Sequence, residues 1–95
     1  MAFEAAGSLA EKCRANGWGP GVVLYGDEGG VVGVIRLTGV GDAQVLARDV
    51  AHRKRGGEWR AGDGDESHWK LRGEYWRPAT AGELAEVSAA IGRPV

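Results

Sequence analysis

The sequence predicts a small α+β domain of order α-ββ-α-ββ-α, an antiparallel sheet covered by helices. Three observations point there. The chain has 95 residues, which limits it to one domain, residues 1–95. Its apolar residues recur at three- and four-residue steps in three segments, and as short β-branched or alternating runs in four others. Most of its 17 glycines fall between these segments, so they punctuate regular elements.

The first helix is expected within residues 3–16, where Phe3, Ala6, Leu9, Ala10 and Cys13 share one face and Glu4, Ser8, Glu11, Lys12 and Arg14 the other. Ser8 and Glu11 fit a capping box that would start the ordered helix at Leu9, and Asn16-Gly17 closes it. Residues 22–25 and 31–38 are β-branched runs around a Gly-rich loop and read as a hairpin. Gly33, inside the second run, marks a bulge or a close backbone approach.

Residues 42–55 allow two readings, a strand that would make the domain resemble a small barrel, or a helix. Ala43, Leu46, Ala47, Val50 and Ala51 follow helical spacing, whereas alternation would mix Leu46 and Val50 with Arg48 and His52. Asp42 suits an N-cap, Arg53, Lys54 and Arg55 suit the negative end of the helix dipole, and Gly56 suits the residue after the cap. A helix is therefore expected. A second hairpin follows, with strands at 58–61 and 68–77 around a polar loop. Thr80 and Glu83 form a capping box for a last helix, lined by Leu84, Val87, Ser88 and Ile91 and stopped by Gly92 and Pro94. The spacing suggests two ββα units, though few residues are identical between them.

Composition narrows the function. Twelve basic residues against thirteen acidic ones give a net charge of -1, too little for binding that depends wholly on bulk attraction to nucleic acid or anionic lipid. Cys13 is the sole cysteine, so no internal disulfide forms, and it reads as a small buried hydrophobe. The first residues lack the pattern of a signal peptide and no run is long enough to span a membrane, so a cytoplasmic location is expected. The wealth of Gly, Ala and Arg matches a GC-rich coding sequence of bacterial or phage type.

Motifs for chemistry fail one by one. Gly39-Val40-Gly41-Asp42-Ala43-Gln44 lacks the third glycine of a phosphate loop and places Asp42 where an anion would sit. Asp63, Asp65 and Glu66 do not have calcium-loop spacing. His52 and His68 have no cysteine near them in sequence, so no zinc site is expected. No Gly-x-Ser-x-Gly context singles out a nucleophile. The reading is a protein that is not an enzyme, with no cofactor and no metal.

One feature is concentrated. Residues 48–77 carry eight basic and six acidic residues with Trp59, Trp69, Tyr75 and Trp76, against three basic and five acidic in residues 1–47. On the last strand Trp69, Leu71, Gly73 and Tyr75 are expected to face the core, and His68, Lys70, Arg72, Glu74 and Trp76 to face solvent. Arg53, Lys54, Arg55, Trp59, Lys70, Arg72 and Trp76 are thus the expected partner-binding residues. Mixed charge around a Trp anchor favours a protein partner, with the chain acting as an inhibitor or adaptor of phage or mobile-element type. The alternative is direct nucleic-acid binding, with Trp76 stacking a base and the cations on phosphates. Short edge strands would also permit a homodimer.

Overall fold

The sheet grows from the turn Gly29-Gly30, where both residues take positive φ, 66° and 82°, as a two-residue hairpin turn requires. The computed structural model describes residues 7–95. Strands β1 (Val23–Glu28) and β2 (Val31–Val40) flank the turn in antiparallel register, Glu28 opposite Val31 and Val23 opposite Arg36. The expected first hairpin is present, with a tighter loop. Helix α1 (Leu9–Asn16) precedes it. Ser8 Oγ accepts from Glu11 N–H at 3.1 Å, and Gly17 ends the helix in the left-handed region. Phe3 and Ala6 of the expected helix lie outside the described residues.

Residues 42–55 do not form the expected helix. Val45–Lys54 is the ten-residue strand β3, antiparallel to β2, and Gly41 N–H donates to Gln44 O at 2.8 Å in the turn that joins them. The misleading period has a physical origin. Val34 pairs with Ala51 and Ile35 with Asp49, so Val50 is an extra residue in the ladder. Such a bulge shifts the side-chain phase by one, and the apolar step from Leu46 and Ala47 to Val50 and Ala51 then imitates a helix. Burial on both faces of the sheet hides the alternation further.

The second hairpin is also revised. Strands β4 (Arg60–Ala61) and β5 (Glu66–Trp69) both lie along the free side of β3, at Ala51–Ala61 and Val45–Trp69, as one interrupted edge strand. Gly62 N–H to Val50 O at 2.9 Å and Gly64 N–H to Asp49 O at 3.2 Å bridge the gap. The chain then leaves the sheet, makes a 3₁₀ turn over Gly73–Tyr75 and returns as β6 (Trp76–Pro78), which pairs with β1. The strand order is β4-β3-β2-β1-β6, with β5 beside β4's edge of β3. The two ββα units therefore have no structural counterpart.

Alternation does not run unbroken from 68 to 77, because the chain leaves the sheet after Trp69 and a new strand begins at Trp76. Tyr75, expected in the core, is 42% exposed, and Trp76, expected at the surface, is 6% exposed.

The helices cover opposite faces. On one, Leu9, Ala10 and Cys13 of α1 join Leu24, Ile35, Leu37, Val45, Ala47 and Trp76. Burial pushes the Cys13 thiol up to about 11, which keeps it protonated. On the other face Val87 of helix α2 (Ala81–Ile91) meets Val34 and Ala51, with Val23, Tyr25, Trp59 and Ile91 around them. No helix among the described residues is long and apolar enough to cross a membrane.

The capping box at α2 forms as expected, and it carries an ion pair. Arg77 grips Glu83 with two hydrogen bonds of 2.7 Å, while Thr80 N–H donates to the same carboxylate at 2.9 Å. The Arg77 fork foremost, aided by the Thr80 N–H against the opposing effect of partial burial, holds the Glu83 carboxyl down at about 2. A folded-state pKa below the ordinary 4.5 stabilises the fold above that value, and the benefit is lost as pH falls toward 2. Arg77→Met is expected to return the Glu83 carboxyl toward its ordinary value, with a stability deficit that shrinks between those two pH values. Carbon-detected carboxyl titration together with acid unfolding checks this, and an unmoved Glu83 would refute it.

Candidate functional site

The indole of Trp76 walls an apolar concavity of the surface. Trp76 stands opposite Gly26 on β1, and Gly26 stands opposite Gly33 on β2. A Cβ at Gly26 would lie 2.2 Å from Trp76 Cδ2, and one at Gly33 would lie 3.2 Å from Cη2. Two glycines side by side therefore make the bed on which the ring lies. Gly33 marks a close approach, one of the two roles its position in the strand suggested. The ring is fixed by Nε1–H to Glu28 Oε1 at 3.0 Å, and Arg72 N–H donates to the same oxygen at 3.1 Å.

Beside the ring is a cleft of about 480 Å³, with Gly33 and Ile35 as floor, Trp69, Leu71 and Trp76 as walls, and Val31 at its mouth. This volume lies within the range of small-ligand and side-chain pockets. Three elements deliver the walls. Trp69 ends β5 and donates Nε1–H to Ala47 O at 3.4 Å, Leu71 lies on the crossing segment where its carbonyl accepts from Leu9 N–H at 2.8 Å, and Trp76 opens β6.

The polar groups of the cleft are Glu28, Asp49 and His52. Residues 49 and 52 would point to opposite faces of a regular strand, and the Val50 bulge brings them to one side. His52 Nδ1 lies 3.1 Å from Asp49 Oδ2. The carboxylate oxygen can only accept, so Nδ1 is the donor of this contact. Among the described residues no group of three or more His, Cys, Asp or Glu could hold a metal ion.

The seven residues expected to bind a partner do not form one face. Trp76 is the buried wall just described. Arg53 stacks over Trp59 at 5.0 Å, and Trp59 donates to Glu86 at 3.2 Å and meets Tyr25 edge-on, beside an open cavity of about 580 Å³. Arg55 is paired with Asp27 through contacts of 2.8 and 3.2 Å. Lys54 is exposed at the end of β3. Lys70 lies past the other end of β3, beside Asp42 and Gln44 of the β2–β3 turn. Arg72 is exposed, its guanidinium 3.8 Å from Glu74.

Sequence reasoning missed Glu28, Val31, Asp49 and His52. A glycine inside each of two adjacent strands is the signal that could have found the bed of Trp76. The bulge that joins Asp49 to His52 leaves no comparable mark.

The family described as a domain of unknown function, DUF7241, matches residues 7–81. The chain belongs to this family. The matched part holds α1, the whole sheet and every residue of the cleft, so the cleft is built within the DUF7241 region. No curated protein and no solved structure matches the chain.

Proposed function

We propose that this DUF7241 protein is a small, non-enzymatic, cytoplasmic binding protein of bacterial or phage type, an inhibitor or adaptor that works by protein–protein contact. Its partner inserts an apolar side chain into the cleft, beside an arginine or lysine. The observation that carries this reading is the chemistry of the cleft: an apolar floor at Ile35 and walls of Trp69, Leu71 and Trp76, with carboxylates at Glu28 and Asp49. A buried aromatic pocket ringed by charge is the arrangement of an interface hot spot. Glu28 Oε1 already accepts from Trp76 Nε1–H and Arg72 N–H, and Asp49 Oδ2 is engaged by His52, which favours charge matching over nucleophilic catalysis.

Direct nucleic-acid binding loses support, because Lys70 is separated from Arg53, Lys54 and Arg55 by the length of β3 and Trp76 is buried. An edge-to-edge homodimer is also disfavoured, since β6 has three residues and ends in Pro78, and the other edge is broken into β4, with two residues, and β5, with four.

The test uses short peptides with a Leu or Phe next to an Arg, and their charge-reversed counterparts, titrated into labelled protein. Shifts confined to Trp69, Leu71, Trp76 and Val31 are expected from the cationic series. Val31 is 45% exposed at the mouth of the cleft, so Val31→Arg is expected to keep the melting temperature and weaken binding about tenfold or more. Equal binding by Val31→Arg, or no cleft shifts with any peptide, would remove the proposal. Affinity for single-stranded DNA that falls steeply with salt would move the choice to nucleic acid.

A further inference from the structure

We propose that Arg36, Arg48 and Arg93 form a binding site for a small phosphate-bearing anion on the α2 face of the sheet. The site lies across the sheet from the cleft, because Arg36 alternates with the cleft-floor residue Ile35 and projects to the opposite face; Asp49 is the one residue that lines both.

Arg36 on β2 and Arg48 on β3 are direct cross-strand partners. Like charges at such positions repel, so the pair costs stability unless something negative is shared between them. Arg93, just past α2, lines the same cavity. Among the described residues none of the three has a carboxylate within 4.0 Å, and Arg48 gives one N–H to Gly64 O at 2.9 Å. Two acids lie nearby. Glu66 is the other cross-strand neighbour of Arg48 and is exposed without an ion pair, while Asp49 lines the cavity with its Oδ2 held by His52. Three guanidiniums against two lining carboxylates, those of Asp49 and of the terminal residue Val95, leave the cavity cationic.

Its volume is about 210 Å³, below the range of pockets for drug-sized ligands, and Ile91, Pro94 and Val95 wall one side. That space suits one phosphate group and the first atoms attached to it. Guanidinium forks match phosphate oxygens two at a time, so a dianion both relieves the Arg36–Arg48 repulsion and accepts hydrogen bonds from the two side chains. Arg53, Lys54, Arg55, Lys70 and Arg72 are not among the residues that line this cavity.

The experiment compares inorganic phosphate with chloride at matched ionic strength on the full chain, reading melting temperature and the Arg Nε–H signals. Wild type is expected to melt higher in phosphate, with saturable shifts of Arg36, Arg48 and Arg93. Arg36→Gln/Arg48→Gln is expected to melt in chloride at or above the wild-type temperature and to bind phosphate roughly ten- to hundredfold more weakly. Arg93→Gln, outside the sheet, provides the same test without altering a strand. An equal rise of melting temperature in the variants would show general exclusion of phosphate from the protein surface and overturn the site. So would an absence of saturable shifts in wild type. Tighter binding of a short single-stranded oligonucleotide, with shifts spread over Arg53, Lys54 and Lys70, would overturn the small-anion assignment in favour of a nucleic-acid backbone.

Discussion

Gly26→Ala is expected to destabilise the domain by about 3 kcal/mol, a large effect for a single methyl group. The added Cβ would lie 2.2, 2.5 and 2.6 Å from three atoms of the Trp76 ring. The ring cannot swing away cheaply. Its backbone is paired with Gly26 in the β1–β6 ladder, and its Nε1–H is bound to Glu28. Trp76→Ala costs about 3–5 kcal/mol through lost burial and the cavity left behind. A domain of this size has roughly 5–15 kcal/mol in total, so either change removes a substantial share. The two are coupled with a known sign: once Trp76 is alanine, the Gly26 methyl group has room, and the double variant is less destabilised than the sum. Urea unfolding followed by circular dichroism measures all four corners of the cycle. Additive losses would show that the ring does not lie on Gly26.

Lys12→Met is the second substitution with a large expected effect, a loss of about 2–4 kcal/mol. Lys12 is 6% exposed, and its Nζ donates to Gly73 O at 2.8 Å and Trp76 O at 2.6 Å. These bonds tie α1 to the 3₁₀ turn and to the start of β6, while the ammonium lies 5.8 Å from the Trp18 ring. Burial pulls the pKa of the group below its ordinary value, the mark of a cation held where water is scarce. Methionine keeps most of the stem, so the loss reports on Trp76 O deprived of its lysine donor and on Gly73 O, which keeps only the backbone N–H of Trp76. Amide exchange at Leu9, whose N–H donates to Leu71 O, is expected to accelerate more than exchange at Val34 in the central sheet. Uniform acceleration would mean that Lys12 acts on global stability alone.

Both substitutions act on the support of the cleft. Trp76 is its wall, Gly26 supports that wall, and Lys12 holds the segment from which Leu71 and Trp76 are presented. Binding measured on these variants must therefore be compared at equal folded fraction. Val31→Arg avoids the difficulty, because Val31 lies at the mouth.

Local chemistry in the sequence determined the ends of both helices and the first hairpin. Ser8 with Glu11, Thr80 with Glu83, and glycines at 17, 29, 30 and 92 act through contacts within a few residues, and such contacts are readable from spacing. Burial of Cys13 was likewise set by its place on a helical face. Tertiary structure decided the rest. Val45–Lys54 is a strand because β2 and the interrupted edge strand satisfy its backbone from both sides, and a bulge at Val50 disguises its period. Trp76 is buried because the crossing segment after Trp69 resets the alternation and pairs it with a glycine fifty residues earlier in the chain. The Asp49–His52 pair and the three arginines of the α2 face exist only once strand register is fixed, and register depends on long-range pairing that no local spacing encodes.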